Sequence, residues 1–333
     1  METARAGEPV APREILELVQ DDLLSVEREI SLEWVAPVEA ITTIGQYLQA
    51  SGGKRLRPTL VLLTARLLGG GGESAIRLGA VVEMLHTATL VHDDVIDDAG
   101  TRRGRPSTNI KWGNHTSVLA GDWLYMQAFQ IALRERNFRI LDLLIGVTQT
   151  MVEGELLQLQ HIGSIKVTEA DYMELVGRKT AGLFSTCARL GAIVAGAEEP
   201  MEQALGQYAW NLGMAFQLID DVLDFTARET VLGKPVGNDL AEGKVTLPLI
   251  YALEKAGPAE RALVQTVLED RDYTRVPFAD VRALIDRHRG IEQARERAAV
   301  FTEQARATIS GFPDSPCQRA LASIAVLITG RDH

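Results

Sequence analysis

The sequence predicts an all-α protein. Apolar residues recur at three- and four-residue spacing through nearly every long segment, strand-like alternation is rare, and glycine- or proline-rich breakers stand between the apolar runs. With 333 residues, 46% of them hydrophobic, the chain has material for a substantial core. No interdomain linker stands out, so residues 11–333 are expected to form a single helical domain behind a flexible tail, residues 1–10.

Each element has its own signal. Pro58 stands where a first-turn proline is tolerated and opens the apolar run Thr59–Leu68, which Gly69–Gly72 ends. A long helix is expected from Glu73 to Asp97, followed by the arginine-rich loop GTRRGRP, Gly100–Pro106. Further helices are predicted over Ser117–Leu133, Arg139–Gln160, Thr168–Ala195 and Pro200–Phe225. The loop Ala227–Lys244 carries two glycine–lysine pairs, and about four shorter helices complete the chain.

Composition narrows the function. A net charge of −11 argues against a general nucleic-acid binder, which would carry a basic stripe or patch. Cys187 and Cys317 form no CxxC pair, so neither a disulfide framework nor a thiolate zinc site is suggested. That cysteine usage fits a cytoplasmic location best; the first residues show no apolar core of a signal peptide, and no stretch of 18 residues is free of charge.

Two acidic clusters are the candidates for chemistry. In LVHDDVIDD, Asp93 and Asp97 lie one above the other on a helix, with Asp94 about 100° round the axis. Three carboxylates in one quadrant repel one another unless a cation intervenes, and hard oxygen ligands suit magnesium, which shares its remaining positions with water and phosphate. A solvated acidic helix end is the plainer reading of this cluster alone. FQLIDDVLDF repeats the spacing with Asp220, Asp221 and Asp224, here interrupting an apolar helix where an unpaired charge is costly. Facing each other across a bundle, the clusters would clamp divalent ions around a diphosphate.

Basic residues stand beside them. SGGKRLRP places Lys54, Arg55 and Arg57 at a glycine-flanked helix start, a setting that favours anions. Arg102 and Arg103 follow the first cluster, Lys179-Thr180 lies between the clusters, and Lys234 and Lys244 follow the second. Any one of these alone reads as a surface charge; their grouping beside the aspartates is what points to an anion site.

These motifs, GGKRLRP, HDDVIDDAGTRRGRPS, Lys179-Thr180, FQLIDDVLDF and the pairs at Lys234 and Lys244, resemble the trans-isoprenyl diphosphate synthases, in matching order from about Gly52 to Pro248. The resemblance implies one large helical bundle of the isoprenoid synthase type with a central active-site cavity. It implies that Asp93, Asp94, Asp97, Asp220, Asp221 and Asp224 bind magnesium, about three ions in all. Lys54, Arg57, His86 and Arg103 would hold isopentenyl diphosphate; Arg102, Lys179 and Lys234 would hold the allylic diphosphate, with Lys244 closing the site. Thr180 and Gln217 would lie over the allylic C1. The implied reaction is ionisation, condensation and elimination, in a site that excludes water.

The same resemblance bears on product length. Ala88 occupies the fifth position before the first aspartate, where short-chain members carry an aromatic floor, so a long-chain product, octaprenyl to decaprenyl, is expected. Helices of about 25 residues span roughly 37 Å, enough for a long prenyl tail. Leu85, Leu144, Val147 and Met151 are candidates for its far end, although core packing explains each of them singly. A homodimer is implied, with at most transient membrane contact for a lipid product. A geranylgeranyl or farnesyl synthase, a terpene cyclase, a metal phosphohydrolase built on the His92-Asp93 dipeptide, and a regulatory subunit are the alternatives. Asp220, Asp221, Asp224 and Lys54 count against the cyclase, and the presence of both aspartate clusters counts against the subunit.

Overall fold

The computed structural model describes residues 10–34, 37–226 and 236–330. Most of the expected tail and Lys234 lie outside the described residues, while the Val10 N–H donates to Ser323 Oγ at 2.8 Å. In chain order the helices are α1 Pro12–Glu17, α2 Gln20–Glu33, α3 Glu39–Ala50, α4 Leu56–Leu67 and α5 Glu73–Ile96. The short strands β1 Thr101–Arg102 and β2 Arg105–Pro106 follow, then α6 Thr108–Trp112, α7 Asn114–Leu133, α8 Phe138–His161 and α9 Glu169–Val176. A π-helical turn, Gly177–Ala181, leads into α10 Gly182–Val194, α11 Glu199–Thr226 and α12 Asn238–Ala241. Helices α13 Leu247–Lys255, α14 Pro258–Asp270, α15 Phe278–Arg287, α16 Gly290–Ser310 and α17 Pro316–Thr329 complete the described chain. The all-α expectation holds.

The chain groups into two compact units, each assembled from three stretches. The first comprises residues 1–148, 184–209 and 308–324. Its centre is α5, which packs against α2, α4 and α7. From Leu78 to Leu85 every residue of α5 is buried, as expected of a helix surrounded on all sides. Close helix packing requires glycine in this unit: a Cβ at Gly191 would stand 2.5 Å from the Val61 carbonyl oxygen.

The second unit comprises residues 149–183, 210–307 and 325–333. Its core joins Tyr172, Val176 and the apolar face of α11 from Met214 to Phe225 with α13, whose residues Leu247–Leu253 are all buried. Leu284, Ile285 and Ala294 close this core.

Two sequence expectations need correction. Gly100–Pro106 is not a plain loop: β1 and β2 pair antiparallel, Arg102 opposite Arg105, across the two-residue turn Arg103-Gly104. Both turn residues have positive φ, +53° and +73°, the geometry that matches strand twist in a tight hairpin. The helix expected over Thr168–Ala195 is interrupted by the π turn carrying Lys179 and Thr180. Such turns leave no periodicity signal; Gly177 marks this one, where a Cβ would meet the Trp210 ring at 2.9 Å.

Candidate active site

In the first unit, the loop before α4 turns sharply. Arg55, the N-cap residue, has left-handed backbone torsions (φ +48°, ψ +33°). Its side chain points inward, donating from Nη1 to Glu83 Oε1 at 2.5 Å and from Nε to Glu27. Lys54 is exposed, and the Arg57 guanidinium lies 5.0 Å over the Phe184 ring. Gly53 permits a close approach here: a Cβ on it would stand 2.9 Å from Arg103 Nη1. His86 follows Glu83 by one helical turn. Burial, together with Arg57, Arg103, Arg102 and Arg55, holds its imidazole well below the usual histidine range, so it is neutral.

The first acidic cluster closes α5. Asp97 is the C-cap residue, and its N–H donates to the Asp93 carbonyl at 2.8 Å, preserving the four-residue stacking expected from the sequence. Asp93 and Asp97 are half-buried, whereas Asp94 is 3% exposed and accepts from Arg102 Nε at 2.8 Å. Burial raises the Asp94 pKa, and Arg102 works against that rise. The residue expected to hold an allylic diphosphate is thus bonded to an aspartate of its own unit. His92 Nε2 lies 3.1 Å from the Val118 carbonyl and 3.4 Å from Asp122, engagements with α7 that give the His-Asp dipeptide a packing role.

The second cluster has a parallel construction. Asp220 is half-buried, while Asp221 is 4% exposed and sits in a chain of hydrogen bonds. The Tyr172 hydroxyl donates to Asp221 Oδ2 at 2.6 Å and Gln217 Nε2 donates to Oδ1 at 2.8 Å. Thr180 Oγ1 in turn donates to Gln217 Oε1 at 3.0 Å. Burial and the neighbouring Asp239 push the Asp221 pKa up, with Tyr172 and Gln217 pulling against them. Asp224, 1% exposed, accepts the Asp239 N–H at 3.3 Å through its side chain and the Gly237 N–H at 2.9 Å through its carbonyl. Lys179, on the π turn, donates to Gln158 at 3.2 Å and pairs with Glu155; Lys244 donates to Glu242 at 2.7 Å.

The second unit therefore joins Thr180, Gln217 and Asp221 directly, and the first gathers Arg57, His86, Arg102 and Arg103 around one electrostatic neighbourhood. Among the described residues no three His, Cys, Asp or Glu side chains converge as a preformed metal cage. The donors still fit a divalent ion that keeps its waters and takes one or two carboxylates plus phosphate oxygens. Of the tail-length candidates, Leu85, Ala88, Leu144 and Val147 are buried in the first unit and Met151 in the second. Glu27, Glu83, Tyr172 and Asp239 had no place in the sequence-derived site. Glu83 carried a faint signal, a lone charge inside the apolar run VVEMLH, and Tyr172 carried none.

Fold and site together define a helical enzyme that handles an anionic substrate with paired acidic clusters and arginines. The polyprenyl synthetase family pattern matches residues 38–283. An octaprenyl diphosphate synthase of Haemophilus influenzae is 39% identical over 320 residues, 96% of this chain and 97% of that protein. A geranylgeranyl diphosphate synthase of Methanosarcina mazei is 34% identical, covering 94% of each. A polyprenyl synthase of Caulobacter crescentus, crystallised with calcium and isoprenyl diphosphate, superposes with a TM-score of 0.93 at 35% identity, over 98% of this chain and 99% of that one. The chain belongs to the polyprenyl synthetase family and is an enzyme that transfers prenyl groups.

Proposed function

We propose that this enzyme condenses isopentenyl diphosphate with an allylic diphosphate, head to tail and trans, to build a long-chain, octaprenyl-like diphosphate. The observation that carries this reading is the shared design of the acidic clusters. The middle aspartate of each is held by a neighbour, Asp94 by Arg102 and Asp221 by Tyr172 and Gln217, while Asp93, Asp97 and Asp220 are half-buried; the clusters differ at their third member, Asp224 being buried. The half-buried aspartates would hold magnesium, which supplies positive charge to a departing diphosphate.

The chain's own groups do the rest. Arg102, Lys179, Lys234 and Lys244 bind and neutralise the allylic diphosphate as its C1–O bond breaks. Thr180 and Gln217, fixed by their mutual hydrogen bond, present oxygen dipoles to the allylic cation. Lys54, Arg57, Arg103 and neutral His86 orient the second diphosphate so that the isopentenyl double bond attacks C1. The released diphosphate then accepts a proton from the condensed cation, and the C–H electron pair forms the new double bond.

The greater identity to an octaprenyl synthase than to a geranylgeranyl synthase supports the longer product, as does the small, fully buried Ala88. Two exposed apolar stripes support a homodimer: Leu119, Met126 and Leu133 on α7, and Phe138, Ile145, Val152 and Leu159 on α8, each at the seven-residue spacing of a helix seam. Cytoplasmic residence with transient membrane contact at product release completes the reading.

The test is incubation of the purified chain with isopentenyl diphosphate and each allylic primer, with and without magnesium, followed by chromatography of the products. Long prenyl chains that vanish on chelation are expected, with Asp93→Ala and Asp220→Ala each lowering kcat about 100-fold or more. Activity that survives chelation, or phosphate release without chain growth, overturns the proposal.

A further inference from the structure

Glu83 is out of place in an anion site. It is 5% exposed on α5, one turn before His86, and Arg55, Arg57, Arg102 and Arg103 all act electrostatically on that same histidine. A fixed negative charge among cations that receive a diphosphate weakens binding by charge alone. Burying it is also costly unless it is paired.

Its partner explains its position. Arg55 Nη1 donates to Glu83 at 2.5 Å, and Arg55 Nε donates to Glu27. Burial works against the Arg55 charge, yet Glu83 and Glu27 more than offset it and raise its pKa. The Arg55 backbone sits in the left-handed region, a conformation that strains a non-glycine residue, and the inward anchoring of the side chain holds it there. Lys54 precedes this turn and Arg57 is two residues beyond it. A Cβ on Gly53 would stand 2.9 Å from Arg103 Nη1 and 3.2 Å from Arg55 Nη1, so both guanidinium groups lie beside the same glycine.

We propose that Glu83 is a positioning residue for the isopentenyl diphosphate site: it holds Arg55, and Arg55 fixes the loop that aims Lys54 and Arg57 at the diphosphate. This rests on the functional reading above. Charge and positioning predict opposite signs. If Glu83 only repels the substrate, Glu83→Gln tightens binding; if it positions the loop, the same change weakens binding.

The experiment is steady-state kinetics of the full-length enzyme with magnesium, each substrate varied in turn, for wild type, Glu83→Gln, Arg55→Lys and the double variant. The KM for isopentenyl diphosphate is expected to rise about tenfold in each single variant, the worth of one charge-assisted hydrogen bond, with no further rise in the double variant. The allylic KM is expected to move less than about twofold, a split that general loss of structure would not produce. An unchanged or lowered isopentenyl KM overturns the proposal, as does a parallel loss of kcat and both affinities. Should Glu83→Gln fail to fold, Arg55→Lys decides by the same criteria. Wild type that makes no elongated product overturns the functional reading itself, and this inference falls with it.

Discussion

Tyr172→Phe isolates a single hydroxyl. The Tyr172 ring is 3% exposed in the core of the second unit, and phenylalanine keeps that burial. What disappears is the hydrogen bond to Asp221 Oδ2 at 2.6 Å, leaving a carboxylate that is 4% exposed with the Gln217 amide at 2.8 Å as its remaining described hydrogen-bond donor. A hydrogen bond to a buried carboxyl contributes about 1–2 kcal/mol, and that is the expected loss of unfolding free energy in denaturant titrations. Asp221 limits the loss by taking up a proton more readily, since burial and Asp239 already raise its pKa and Tyr172 was pulling against them. Because Asp221 orients Gln217, and Gln217 accepts from Thr180, turnover is expected to fall about tenfold, one such bond transmitted to the dipoles over the allylic carbon. A stability loss below about 0.5 kcal/mol together with unchanged kcat would refute the hydrogen-bond chain as an ordering device.

Ala88→Phe should shorten the product to geranylgeranyl length or less, read by chromatography; a persisting long-chain product would remove Ala88 from the tunnel. Because Ala88 is fully buried, the larger ring is also expected to cost about 1–3 kcal/mol of stability. His86 carries a pH prediction. Its folded pKa is depressed, so below the unfolded value of about 6.5 the unfolded imidazole takes up a proton that the folded one refuses. Stability should therefore decline as pH falls from 7 towards 5, and His86→Gln should flatten that slope in denaturant titrations at several pH values.

Much of the helix map was legible because it depends on local periodicity. The long helix expected from Glu73 to Asp97 is α5, Glu73–Ile96, and the one expected over Pro200–Phe225 is α11, Glu199–Thr226. The errors fall where local pattern carries no information. A π turn differs from an α-helix by one residue of hydrogen-bond register, so the segment of Lys179 and Thr180 read as uninterrupted helix. The Arg103-Gly104 hairpin escaped because arginine seldom adopts positive φ, and here Arg102, before the turn, is held by Asp94 while the Arg103 side chain lies beside Gly53.

By itself the sequence determined the helical class, the two acidic triplets at one-turn spacing and the company of lysines and arginines that marks a diphosphate enzyme. All of these are properties of residue type and short-range spacing. Only the tertiary structure decided how the charges are distributed among partners. The middle aspartate of each triplet is buried and held, Asp221 by Tyr172 from 49 positions away, and Glu83 anchors Arg55 across 28 positions. The physical reason is that a buried charge must find its counterpart wherever packing brings one near, and nothing in local periodicity encodes that meeting.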